Sequence, residues 1–395
     1  MIYAFIAILF IYLVIRYDIR ENPKNRLLYY KLMLIILILV SGLRYRLGMD
    51  TPIYLDYFYH NDIKIEDFSF VDILDLNMEP LFSILNSLVY YLGGKFYHIQ
   101  LIQAILVNSL VFIYFRRHSN YIFLCAFIYY IWLFLGFNME EMRSSISVVL
   151  CLFANDYILN KKWIKGGFLY FVGFLFHYAT IFAVIVLFFL FLRLNFKGII
   201  ILLLSFIIGG YLHFLLEDYL TLLEFSGSVS NKVSYYIEND SYTIQSGNVN
   251  YFIVYILPLL IYPFISLYYV KKHCRNNRIL QFEPFVMIGL ICVIMQFYIP
   301  LFYRFEHFFS IYFILYISQS FIEIVRNKIK RMSIGLGCSY ALSLFLPFLM
   351  YIGMTYSNSY IRYVPYTSIF EKKTYLKREN IYSEKNRPAA NLREY

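Results

Sequence analysis

Apolar residues along this chain come in long unbroken runs, not in the alternation of a half-buried strand or the narrow stripe of a surface helix. The runs are Ile2–Ile15, Leu27–Leu43, Phe96–Phe115, Tyr121–Phe137, Met142–Leu159, Gly166–Phe176, Ala179–Leu192, Ile199–Leu216, Tyr251–Val270, Phe285–Leu301, Phe308–Val325 and Ser333–Met354. Most have roughly the 15 to 25 residues that a helix rising 1.5 Å per residue needs to cross about 30 Å of hydrocarbon. In lipid the backbone must satisfy its own hydrogen bonds, and runs of this length do so as helices. The pattern therefore predicts an all-α polytopic integral membrane protein of about 12 transmembrane helices. Pro80–Leu92 is amphipathic instead, and is expected to lie in the outer interface without crossing.

The polar positions between the runs set the orientation. Six short loops, at 16–26, 116–120, 160–165, 193–198, 271–284 and 326–332, carry nineteen Lys and Arg. Positive loops stay inside, which assigns these six to the cytoplasm. The loops 44–95, 138–141, 217–250 and 302–307 hold only six Lys and Arg against sixteen Asp and Glu, and belong outside. This alternation closes only if Pro80–Leu92 stays on one side and if residues 166–192 contribute two crossings. A break at His177 supplies the second crossing, with short halves whose ends face protein or a watery cavity. One membrane domain over 1–354 is thus expected, with outer loops 44–95 and 217–250, followed by a polar tail at 355–395 whose side stays open.

Composition agrees and removes other classes. The 395 residues are 61% hydrophobic and 15% charged, which fits no soluble globular domain. The net charge of +10 resides mostly in the short loops, so it is topological, and no nucleic-acid-binding module is visible. The 42 Tyr and 40 Phe accompany abundant Ile, Asn and Lys, which points to an AT-rich coding bias more than to sugar-stacking surfaces. Cysteines at 125, 151, 274, 292 and 338 have no metal-ligand spacing, and neither a zinc site nor a disulfide framework is expected. Ile2–Ile15 has no basic stretch before it and no small-residue cleavage site after it, so it is expected to be retained as a helix.

Candidate chemistry sits at the outer helix ends. The first outer loop opens with Arg44, Arg46, Asp50 and Tyr54 directly after a helix and ends at Glu79-Pro80, where Pro suits a first helical turn. Its acids Asp62, Glu66, Asp67, Asp72 and Asp75 suit a solvated loop. Arg143 opens an otherwise uncharged run after Glu140 and Glu141, and a guanidinium at that depth requires a partner, water or an anionic ligand. His177, between two apolar runs, could transfer a proton or contact phosphate. Arg304, with Glu306 and His307 after it, is a further outer cation. No phosphate loop or nucleophile elbow occurs.

Taken in order, these segments resemble the EpsG family of bacterial exopolysaccharide proteins, related to the Wzy-type polymerases. The resemblance rests on Leu43–Thr51 with Tyr54 and Phe58, on Glu79–Phe82 with Leu85 and Asn86, and on Phe137-Asn138 followed by Met142–Ile146. It continues through Leu175–Ala179, Tyr303–Phe305 with Phe308 and Phe309, and Tyr363-Val-Pro365-Tyr366.

The resemblance implies an enzyme of the inner membrane that polymerises oligosaccharide units linked to polyprenyl diphosphate on the outer leaflet, with an architecture like that of multi-spanning glycosyltransferases using lipid-phosphate donors. No cofactor and no metal are expected. Expected partners are the lipid-linked oligosaccharide, the bilayer, and a chain-length regulator and flippase of the same pathway. Asp50 is the first choice of base and Glu79 the second; His177 assists, Arg143 and Arg304 clamp diphosphate, and Arg44 and Arg46 hold a diphosphate or acidic sugar. Tyr54, Glu140, Glu141 and Tyr366 are further candidates. Asp50, Glu79, Arg143, His177 and Arg304 are expected to converge. Two other classes share part of this pattern: a flippase or exporter of lipid-linked sugar, and a membrane O-acyltransferase.

Overall fold

Within the described residues the apolar runs fold as helices. The computed structural model describes residues 2–60, 78–220, 252–274, 278–299, 301–326 and 359–384. Through the first half of the chain these residues form α1 (Ile2–Leu13, continued by a π-helical turn over Val14–Ile19), α2 (Arg26–Gly42), α3 (Thr51–His60), α4 (Pro80–Tyr91), α5 (Phe96–His118), α6 (Ile122–Trp132), α7 (Met142–Leu159), α8 (Trp163–Phe176) and α9 (Thr180–Ile185). The second half adds α10 (Phe196–Leu220), α11 (Leu257–His273), α12 (Glu283–Tyr298), α13 (Phe302–Arg326) and α14 (Leu376–Glu384). Among the described residues there is no strand, only one isolated bridge between Arg44 and Ser368. Six segments among them are long and apolar enough to cross a membrane: Ile2–Ile19, Phe96–His118, Met142–Leu159, Phe196–Leu215, Arg278–Tyr298 and Phe302–Val325. The chain is an all-α membrane protein. The expected crossing at 333–354, residues 221–250 of the second outer loop, the five loop acids between Asp62 and Asp75, and Cys338 lie outside the described residues.

Two compact units partition the chain: Met1–Ile181 with Met354–Tyr395, and Phe182–Gly353. In the first, α7 and α8 pack through small residues, as helices in lipid do where backbones must approach closely. A Cβ at Gly166 would lie 2.6 Å from Ile158 Cδ1 and 3.1 Å from the Ala154 carbonyl oxygen. Buried amides brace the turn that feeds α7. Asn108 Nδ2 donates to Asn138 Oδ1 at 2.7 Å, Asn138 Nδ2 to the Tyr129 hydroxyl at 3.0 Å, and that hydroxyl to Asn108 Oδ1 at 3.1 Å. Gln103 Nε2 donates to the Phe137 carbonyl and to Ser145 Oγ, each at 3.0 Å. Such bonds between helices in lipid contribute about 0.6 to 2 kcal/mol each.

The basic loops of this unit share one end. Asp18 accepts from Arg26 at 3.2 Å and from the Leu124 amide at 2.7 Å, joining the loops around 20 and 120. Asp156 accepts from His118 Nε2 at 2.7 Å and lies 3.4 Å from Arg117.

A long-range return of the chain shapes the other end. The Tyr45 amide donates to the Thr367 carbonyl at 2.9 Å, the Ile369 amide to Leu43 at 3.0 Å, and the Gly48 amide to Arg362 at 3.1 Å. Arg46 closes the seam with a fork: Nε and Nη2 donate to Glu379 Oε1 and Oε2 at 3.1 and 2.8 Å. Arg378 donates to the carbonyls of Ile361 and Pro365, and the Tyr382 hydroxyl donates to the Arg46 carbonyl at 2.9 Å. The polar tail, whose side the sequence leaves open, therefore lies on the same side as the first outer loop.

The second unit packs α10 through α13. Gly289 of α12 faces Phe309 and Phe313 of α13, and Phe285 stacks on Tyr312 at 4.8 Å. Glu283 accepts from Lys271 Nζ and from the Leu194 amide, both at 2.6 Å, so two of its basic loops also meet at one end.

Candidate functional site

Three helix boundaries of the first unit deliver three charged side chains to one point. Pro80 starts α4, and the residue before a proline is held extended; Glu79 has φ −63° and ψ 147° and makes no side-chain cap to its own helix. Its carboxylate instead leaves the helix. Arg143 is the second residue of α7, directly after the π-helical turn Gly136–Glu140 and a break at Glu141. His177 ends α8 in an extended conformation, φ −159° and ψ 121°, and its carbonyl accepts from the Thr180 amide at 3.0 Å as the next helix begins. The expected break falls at that residue.

Glu79 is the hub. Oε2 accepts from Arg143 Nη1 in a close ion pair, and Oε1 meets His177 Nδ1 at 2.7 Å. The carboxylate is 7% exposed, so both oxygens are held in place by these partners. Burial alone would raise its pKa, but the hydrogen bond from His177 and the Arg143 charge outweigh burial and hold the carboxyl at about 2. A carboxylate so stabilised is a poor base and a good orienting group. With Nδ1 engaged, His177 is left with Nε2, which makes no hydrogen bond among the described residues.

Tyr54 of α3 covers the cluster. Arg143 stands over its ring at 5.5 Å with Nε 3.5 Å from the hydroxyl, and the ring packs edge-on against Phe82 of α4 at 5.6 Å. Burial pushes the Tyr54 hydroxyl above its usual pKa, so it stays protonated. Tyr57 hydrogen-bonds Ser83 at 2.6 Å and ties α3 to α4 a turn further along.

Asp50 adjoins this group without joining it. Its carbonyl accepts the Tyr54 amide at 3.1 Å, and it is close enough to interact electrostatically with both Tyr54 and Arg362. The tight turn before it requires glycine: Gly48 has φ +97°, and a Cβ there would meet the Met139 carbonyl oxygen at 2.1 Å. Glu140 Oε1 accepts the Met49 amide at 3.2 Å and lies 3.5 Å from Arg362 Nη1. Glu141 is half-buried at the break before α7.

Three of the remaining expected residues sit in the seam between the first loop and the tail. Arg44 and Arg46 are buried, Arg46 on Glu379 and Arg44 with Nη1 on the Ser41 carbonyl, so both serve the seam between loop and tail. Tyr366 donates to the Val40 carbonyl at 3.1 Å and packs on Tyr3 in the same seam. Arg304 belongs to the second unit, at the start of α13, where Nε donates to the Tyr303 hydroxyl at 3.1 Å. Among the described residues no three His, Cys, Asp or Glu side chains gather as a metal set.

Sequence reasoning missed Arg362, Arg378 and Glu379, which reach the first loop from the tail. Their only local signal is the neighbouring Tyr363-Val-Pro365-Tyr366 motif. It also treated Thr51–His60 as loop, although Tyr54, Tyr57 and Phe58 follow helical spacing.

No curated protein and no solved structure matches the chain. The model of the EpsG family matches residues 27–368, a span that takes in α2 from its second residue, the Glu79–Arg143–His177 cluster and the tail segment Arg362–Ser368. With that match over nearly its whole length, the chain belongs to the EpsG family, a Wzy-like polymerase family.

Proposed function

We propose that this protein is a polysaccharide polymerase that joins polyprenyl-diphosphate-linked oligosaccharide repeat units on the outer face of the cytoplasmic membrane, in the synthesis of an exopolysaccharide, capsule or O-antigen. The observation that carries the reading is the carboxylate of Glu79 shared between Arg143 and His177. It pairs a cation suited to a leaving diphosphate with an oriented imidazole suited to a sugar hydroxyl. Family membership supports the class of reaction.

In the proposed step an acceptor hydroxyl oxygen attacks the anomeric carbon of the donor glycan. The new glycosidic bond forms as the bond from that carbon to the diphosphate oxygen breaks. The hydroxyl proton passes to His177 Nε2, and the polyprenyl diphosphate leaves with the bonding electrons beside Arg143, whose positive charge opposes the charge developing there. Glu79 orients the imidazole through Nδ1. The proposed base is His177, with Glu79 held ionised by two partners and so serving to orient it. The step uses no metal.

The charge pattern of the loops supports twelve crossings with this cluster outside, α4 in the interface and the basic loops in the cytoplasm. A flippase would supply the substrate from the inner leaflet, and a chain-length regulator is the natural partner of the product.

Glycan profiling tests the reading. Cells lacking the protein should display single repeat units on outward-facing carrier and no long polymer. His177→Ala, present at normal level in the membrane, should reproduce that profile. Inward-facing units accumulating instead would make the protein a flippase, and unaltered polymer lacking acyl groups would make it an acyltransferase.

A further inference from the structure

The described residues hold a second guanidinium whose fork is only half engaged. Arg362 enters the loop region because the tail docks there, its carbonyl accepting the Gly48 amide at 3.1 Å. Nη1 faces Glu140 Oε1 at 3.5 Å, while Nε and Nη2 have no hydrogen-bond partner among the described residues. The side chain is 30% exposed, in contrast to Arg46 at 2%, whose fork is closed on Glu379. The same Glu140 oxygen accepts the Met49 amide at 3.2 Å, and the Asp50 carbonyl accepts the Tyr54 amide at 3.1 Å, so Arg362 meets the turn that leads directly into Tyr54, the cover of Arg143. Arg143 is likewise half engaged: Nη1 is on Glu79 and Nε faces Tyr54, and Nη2 has no partner among the described residues. Two partly open planar donors thus border the segment Met49–Tyr54, Arg362 through Glu140 and Arg143 through Tyr54, and a guanidinium fork of this kind fits paired phosphate oxygens.

We propose that Arg362, carried in by the C-terminal segment, forms with Arg143 a two-arginine clamp for the diphosphate of a lipid-linked sugar. The proposal rests on the polymerase reading and adds to it a binding residue from the far end of the chain. Glu140 holds the guanidinium in wait and gives it up to the ligand, since one edge of the fork cannot serve both. Arg46 and Glu379 dock the segment but touch no ligand.

Farnesyl diphosphate, binding to the purified full chain in nanodiscs, is the probe, with farnesol as the control lacking phosphate and inorganic diphosphate as the control lacking lipid. Arg362→Ala should weaken farnesyl diphosphate about tenfold or more, the loss expected for a charge-assisted contact, and leave farnesol unchanged. Arg362→Lys, which keeps the charge but not the fork, should fall between. Glu140→Gln should tighten binding by several-fold, because it releases the guanidinium. That sign separates a ligand role from a strap: were Arg362 only a tie to Glu140, both variants would weaken binding together. Equal affinity in wild type and Arg362→Ala, or parallel losses in Arg362→Ala and Glu140→Gln, would overturn the clamp. If Arg362→Ala does not fold, Arg362→Lys and Glu140→Gln decide between the same outcomes. Loss of farnesyl diphosphate binding with polymer still made by the deletion strain would sink the polymerase reading and leave the clamp standing. Binding of inorganic diphosphate as tight as farnesyl diphosphate would assign the site to free diphosphate and overturn its link to a lipid carrier.

Discussion

At the scale of single residues, Glu79 decides how the cluster works. It joins His177 to Arg143 through one carboxylate, so Glu79→Gln and His177→Ala remove parts of one unit. Each should lower polymer synthesis by about ten- to a hundredfold, and the double variant should be little worse than either, as expected for residues acting together. Additive losses, measured as polymer per unit of membrane protein, would show that the two act separately. The depressed carboxyl also has a signature in stability. Its folded pKa of about 2 lies below its ordinary value of 4.5. The stabilisation is therefore fully present above about pH 4.5 and lost as pH falls toward 2. The unfolding temperature of the wild type in detergent should drop across that window, and Glu79→Gln should flatten the drop. The residues of this cluster were legible in sequence because each is a charge at a helix end, where burial demands a reason. Their roles were not, since choosing between Asp50, Glu79 and His177 as base depends on which oxygens and nitrogens face one another.

Among the elements, the long helices and the short α4 were legible, and α3 and α14 were not. Met142–Leu159 has the same bounds in sequence and structure, because an apolar run bounded by charges leaves little freedom. α3 escaped because its apolar positions occupy barely two turns between a glycine turn and an acidic stretch. α14 escaped because its buried residues are Arg378 and Tyr382, which draw no hydrophobic stripe. The seam these short elements build has a measurable strength. Glu379→Ala strips the nearly buried Arg46 of its fork partner and should cost on the order of 2 kcal/mol, less than a fully enclosed pair because Glu379 is partly exposed. Limited proteolysis should then cut the segment 359–384 faster than in the wild type, while an unchanged cleavage rate would mean that the seam is held without this pair. At the helix contact, Gly166→Leu has no room against Ile158 and Ala154, and should lower the yield of folded protein in membranes.

For the whole molecule, charge placement gave an orientation that the contacts of each unit extend. Loops expected in the cytoplasm meet one another through Asp18 and Asp156 in one unit and through Glu283 in the other. The first outer loop meets the tail, so a cysteine at Lys373 should react with a membrane-impermeant maleimide in intact cells, and one at Asn22 only after the membrane is opened. Equal labelling of both, or the reverse order, would invert the topology. The tail contact itself could not be foreseen, since no local pattern encodes a pairing between residues 333 positions apart.

That pairing also sets a schedule for biogenesis. The ribosome makes Arg46 333 positions before Glu379, so the first loop waits through a long stretch of translation for its partner. Until then the turn at Gly48 lacks the carbonyl of Arg362, and chains released early carry Glu79, Arg143 and His177 without the segment that docks on the first loop. Synthesis through Glu379 is thereby the step that lets the seam close, and chains stopped before it should leave Arg46 without its fork partner.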